Sequence, residues 1–247
     1  MSFPILMSLL AVLLGLACFG GARLGRFGLE PRMVGGALIW AGLSLAAALY
    51  VAVGLHQSRI EYIHDECDSI GHVYRVLQVL PRNERAQMRL LLVSYTDTRL
   101  RKVSEAAASA GAQAEEEAMG LYSQMFALAT RMIKSKTVDA YLGSQITQGL
   151  SRMISSHHRL GYALEERVAT PLLAFSALMC LLSAGLLGAL ATSAHPGQRW
   201  VGWALVAALW INMALILDYN DPTGQIIRVD TRNFLELSQA LHAKERL

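Results

Sequence analysis

Residues 33–58 read MVGGALIWAGLSLAAALYVAVGLHQS, 26 consecutive positions without a Lys, Arg, Asp or Glu. Coiled at 1.5 Å per residue, the run makes a helix of about 39 Å, longer than the roughly 30 Å hydrocarbon core of a bilayer. Three more stretches lack those four residue types: Met1–Ala22, Val168–Gln198 and Trp200–Leu217. The first is long enough with Pro4 in its opening turn, where a missing N–H costs nothing. The last has 18 residues, bracketed by Trp200 and Trp203 at one end and Tyr219 at the other, the aromatic placing of an interface. The spacing predicts four membrane-crossing helices. Composition agrees: 53% of the 247 residues are hydrophobic, 17% are charged, and mean hydropathy is +0.35. Disorder, collagen and a disulfide scaffold are excluded, and a net charge of +3 gives no reason to invoke nucleic acid.

Charge concentrates in the middle, where residues 56–170 carry 14 basic and 13 acidic side chains. The expected class is an all-α membrane protein. Residues 1–55 form a first transmembrane hairpin and 56–170 a helical domain; 171–217 form a second hairpin and 218–247 a tail with one helix. The opening stretch reads as a retained helix rather than a cleaved signal. Only the α-amine is positive before Leu6, and Gly15 stands where a lipoprotein site before Cys18 needs Leu. With four crossings the domain and both termini share a side. Arg59, Arg75, Arg152, Arg159, Arg167, Arg228 and Arg232 flank the membrane there, against Arg23, Arg26, Arg32 and Arg199 opposite, which puts the domain in the cytoplasm.

Within the domain, Ile60, Ile63, Cys67, Ile70, Val73, Leu77 and Leu80 recur at helical steps until Pro81. A second helix is expected over Arg82–Lys102 with Asn83 as its start signal, then a break or weak helix over Lys102–Gln113. Helices over Ala114–Ser135 and Val138–Arg167 follow. The tail opens on a dense turn cluster, Asp218–Gly224. Its helix, capped by Asp230, turns Phe234, Leu237 and Leu241 to one face, which reads as a dock onto the domain.

Glu61, His64, Asp68 and His72 lie on one helix face, and Glu-x-x-His is the spacing of di-iron bundles. Such a site needs a second Glu-x-x-His on a facing helix. His157 and His158 with Glu165 and Glu166 have the wrong order, so the face reads as a solvated or intersubunit polar surface, and no metal or cofactor is assigned. Glu115, Glu116 and Glu117 read as a water-facing helix start. Nucleophile, phosphate-loop and zinc signatures are absent from the sequence, and no enzyme is expected. In the spans, Gly42, Ala46, Ala47, Ala48 and Gly54, with Ala184, Gly185, Gly188 and Ala189, let helix backbones approach. Asn212 is the costliest intramembrane group and is expected to hydrogen-bond across helices. Ser44, Val51 and Leu55, at steps of seven and four, share a face of the second span suited to line a pore.

Three segments carry a family likeness. Leu80-Pro81 with Arg89-Leu90-Leu91-Leu92, Tyr95 and Arg99 follows the second span; Arg152, Arg159-Leu160 and Pro171 approach the third. The exit from the fourth, around Asp218, Asp221, Pro222 and Gly224, is the most specific. In this order they resemble the bacterial bestrophin-like membrane proteins. The resemblance implies a homo-oligomer, pentameric in true bestrophins, in a bacterial inner membrane, passing inorganic ions through a pore lined by the second span. A triple aromatic pore pattern is missing, and His157-His158 stand where more arginine is expected. The competing reading is a membrane-anchored helical scaffold or sensor that binds a cytoplasmic partner without a pore.

Overall fold

A computed structural model describes residues 3–24, 31–104, 108–191, 196–221 and 232–243. The described residues form eight helices and no strand: α1 (Phe3–Leu24), α2 (Pro31–Leu77), α3 (Arg82–Ser104), α4 (Ala108–Lys134), α5 (Ala140–Glu165), α6 (Thr170–Ala191), α7 (Pro196–Asn220) and α8 (Arg232–Ala243). Proline sets much of this punctuation. Pro4, Pro31, Pro171 and Pro196 sit in the first turns of α1, α2, α6 and α7, and Pro81 immediately precedes α3. Each occupies a place where the absent N–H has no helical acceptor to miss. Among the described residues four stretches, lying in α1, in α2, in the run through α5 that ends with α6, and in α7, are long and apolar enough to cross a membrane. The chain divides into two compact units, residues 1–57 with 166–228 and residues 58–165 with 229–247.

In the first unit α6 is the helix that α1, α2 and α7 all touch. A Cβ on Gly21 of α1 would collide with the carbonyl of Gly185, and one on Gly188 with the carbonyl of Cys18. Bare backbone on both helices is what permits that approach. Against α2 the contact is polar as well as small: Ser176 Oγ donates to Ser44 O at 3.2 Å and Ser183 Oγ to Ala37 O at 3.3 Å. Trp210 Nε1 of α7 donates to Met7 O of α1 at 3.2 Å. Ala41, Leu45, Ala48, Cys180, Ala184 and Met213 belong to the buried cluster between these helices.

The second unit is a bundle of the rest of α2 with α3, α4, α5 and α8. Ile63, Ile70, Leu77, Met88, Leu92, Met125, Ile146, Leu150 and Phe234 fill its core. The buried stripe of α2 runs Arg59, Ile63, Glu66, Ile70, Val73 and Leu77, so it passes through two charged residues rather than through Ile60 and Cys67 as expected. Helix α3 begins at Arg82, as expected, with Pro81 O accepting from Arg85 N at 2.9 Å. The expected weak stretch over 102–113 is bridged differently: α3 runs to Ser104 and α4 starts at Ala108. At the end of α4, Thr137 N donates to Met132 O at 3.1 Å and Lys136 N to Ile133 O at 3.2 Å, with Lys136 at φ 53°. That is a Schellman cap with lysine in the position glycine favours. Asp139 Oδ1 then accepts from Leu142 N at 2.7 Å and caps α5. The helix expected to reach Arg167 ends at Glu165, two residues earlier. The tail helix docks as its pattern predicts, with Phe234 and Leu241 buried and Leu237 packed on the core. The tail is divided, since residues 218–228 belong to the first unit and 229–247 to the second.

Candidate functional site

At the centre of the second unit, four helices each bring polar side chains into an apolar core. From α2 comes Glu66, from α3 Tyr95 and Arg99, from α4 Glu115 and from α5 His157. Each sits on the helical repeat of its own buried stripe, so the periodicity that builds the core also drives these groups inward. Arg99 grips Glu66 with two bonds, Nε to Oε1 at 2.6 Å and Nη2 to Oε2 at 2.8 Å. Its Nη1 reaches Glu115 Oε2 at 3.5 Å. Tyr95 Oη lies 3.2 Å from Glu66 Oε1 and 3.1 Å from His157 Nδ1. His157 Nε2 stands 2.6 Å from Glu115 Oε1. Glu66, Tyr95, Arg99 and His157 are shut off from solvent, while the Glu115 side chain is 34% exposed and gives the network its one wet edge among these five.

Burial alone would push the Glu66 carboxyl up. The Arg99 charge and the hydrogen bonds from His157 and Arg99 overcome it and hold the group at about 2. For Tyr95, burial and the Glu66 charge act together and push the phenol well above its ordinary value, so it stays protonated and keeps a hydroxyl to donate. Proton accounting then links two bonds. With a neutral His157, Nε2–H donates to Glu115 and Nδ1 accepts the Tyr95 hydroxyl proton. With a protonated His157, Nδ1–H donates to Tyr95 Oη, and the hydroxyl turns to Glu66.

The sequence-predicted face of α2 lies elsewhere. Glu61, His64 and Asp68 are exposed and His72 is half-buried. Asn233 of α8 sits 3.1 Å from the His64 ring nitrogens, whereas Asp68 and His72 line a surface cleft against α5. Among the described residues no three His, Cys, Asp or Glu side chains converge on a metal-sized site. Glu115 corrects the reading of the acidic run as wholly water-facing, because it turns into the network. Glu66 was not singled out, yet its signal was available: a carboxylate three residues after Ile63 and four before Ile70, inside an apolar stripe.

Asn212 Nδ2 donates to Ala208 O of its own helix at 2.9 Å. Of the three second-span residues, Ser44 is buried against α6, Leu55 is half-buried and Val51 is exposed. At the exit of α7, Asp218 is buried, and Asp221 Oδ1 lies 3.4 Å from Arg167 Nη1. The neighbouring Asn220 accepts from Arg167 Nη1 through its carbonyl at 2.8 Å and from Val168 N through Oδ1 at 2.6 Å. That end of α7 therefore holds the approach to α6. Pro222 and Gly224 lie outside the described residues. No family model, curated protein or solved structure matches this chain.

Proposed function

We propose that the chain is a subunit of an oligomeric ion channel whose water path is lined by the membrane part of α2. The observation that carries this reading is Tyr50. It lies within the uncharged stretch, its side chain is 83% exposed, and its hydroxyl has no hydrogen-bond partner among the described residues. A phenol hydroxyl in hydrocarbon without a partner is costly, so the face that bears it seeks water or another subunit. Ile39, Leu43, Ala46, Tyr50 and Gly54 follow one another at steps of three and four, and all are exposed. A ring of such helices presents apolar girdles at Ile39 and Leu43 that gate by dewetting, with a polar ring at Tyr50. Asn212 supports the same conclusion, since its one bond is local and its amide oxygen has no partner among the described residues.

In this reading the four spans form two hairpins in a bacterial inner membrane, the second unit lies in the cytoplasm, and the assembly resembles bestrophins in being a ring of subunits. The scaffold reading is favoured by one feature, a groove of about 410 Å³ between α3 and α4 in which Leu90 is largely exposed beside Leu91 and Leu128. Purified protein fused into planar bilayers separates the two. A channel gives unitary currents whose amplitude changes with Tyr50→Ala and not with Ser44→Ala, and its mass in detergent corresponds to five or so subunits. A silent dimer ends the channel reading.

A further inference from the structure

We propose that the cleft between α2 and α5 of the second unit is a binding seat for a phosphate group, independent of whether the protein conducts ions. Three contacts fix the antiparallel register of these helices. Arg59 Nε donates to Ala163 O at 3.0 Å, Ser156 Oγ to Ser69 Oγ at 3.2 Å, and a Cβ on Gly149 would stand 3.2 Å from Val73 Cγ2. Carried along the pair, this register sets Arg152 opposite His72, with Arg75 one turn further, and Arg159 opposite Asp65. All five line one open cleft of about 450 Å³, within the roughly 300–1,000 Å³ of small-ligand sites.

The charges in that cleft are not spent on one another. None of Arg75, Arg152 and Arg159 has a carboxylate within 4.0 Å among the described residues, nor do Asp65 and Asp68 have a cation. By contrast Arg59, Arg89, Arg99 and Arg167 are each engaged through the side chain. The lining sets three arginines and His72 against two carboxylates, Asp65 and Asp68. Ser155 adds a hydroxyl and buried Ser156 forms part of the wall. Guanidinium forks converging from two helices match a tetrahedral anion with several acceptor oxygens better than they match a single-charged halide. The shared chemistry is a phosphate oxyanion, borne by a soluble phosphate compound or by a lipid headgroup.

The test uses the full chain in nanodiscs of phosphatidylcholine and follows thermal unfolding with inorganic phosphate against chloride at equal ionic strength. A rise of several degrees with phosphate is expected. It is lost in Arg75→Gln/Arg152→Gln, whose half-saturating phosphate concentration rises at least about tenfold, and kept in Arg131→Gln, an exposed arginine outside the cleft. The exposed substitutions leave unfolding in chloride unchanged, which separates lost binding from lost folding. A rise only when phosphatidylglycerol enters the disc, and only with both arginines present, assigns the seat to a headgroup. No rise in either disc, or a rise that survives the double variant, overturns the proposal.

Discussion

Glu66 occupies a place on α2 where an aliphatic residue would simply extend the core, and Arg99 meets it there with a two-pronged grip. Desolvating both charges costs several kcal/mol, and their attraction with the Tyr95 and His157 bonds recovers it only while every partner is present. Glu66→Gln or Arg99→Met alone is therefore expected to destabilise the protein by about 3–5 kcal/mol. Glu66→Met with Arg99→Met should cost less than either single change, as measured by chemical unfolding in detergent. A double variant as damaged as the sum of the singles would contradict this. The pH dependence follows from the same pair. Folding lowers the Glu66 value from 4.5 to about 2, so its contribution is whole above about 4.5 and disappears as pH falls toward 2. Wild-type stability should drop across that window by more than that of the double Met variant. Sequence alone makes Tyr95 and Arg99 readable as members of a stripe. Their meeting with Glu66, Glu115 and His157 depends on four helices arriving at one point.

Between elements, the sharpest contrast lies in two adjacent glycines of α1. A Cβ on Gly20 meets nothing within 4 Å, whereas one on Gly21 strikes the Gly185 carbonyl of α6, which is backbone and cannot swing aside. Gly21→Ala is expected to lower stability by about 1–3 kcal/mol through forced separation of α1 and α6. Gly20→Ala should be neutral or gain up to about 1 kcal/mol from helix propensity. Thermal unfolding in detergent compares the two, and equal effects would mean that α1 and α6 do not pack through this face. The small residues of α6 were visible in the sequence as a packing device. Which helix they admit was not, because small residues mark a close approach without naming the partner. Helix α8 is the opposite case. Its apolar face named its own fate, and the structure adds the polar latch in which Ser238 Oγ and His242 Nε2 meet the Asp97 carboxylate at 2.8 and 2.9 Å.

For the whole molecule, the proposed sidedness rests on where arginines cluster, and it has a clean readout because the native thiols are poor reporters. Cys18 and Cys180 are buried, and burial together with the Glu66 and Asp68 charges pushes the Cys67 thiol up to about 12. A new cysteine at Tyr141, which is well exposed on the second unit, should resist a membrane-impermeant maleimide in intact cells and react once the cells are opened. Labelling of intact cells would place that unit outside.

What the sequence determined by itself is whatever depends on one helix at a time. Four apolar runs, a charged middle, the prolines that open helices and the face on which α8 docks all follow from local composition and a 3.6-residue period. What the tertiary structure decided is whatever depends on which helices meet. The Glu61, His64, Asp68 and His72 face is as regular as the Arg59, Ile63 and Glu66 stripe, so period alone cannot say which of them turns inward. The apolar partners on α3, α4 and α5 settle it, because burying Ile63, Ile70 and Leu77 together outweighs the cost of taking Glu66 along once Arg99 is there to receive it.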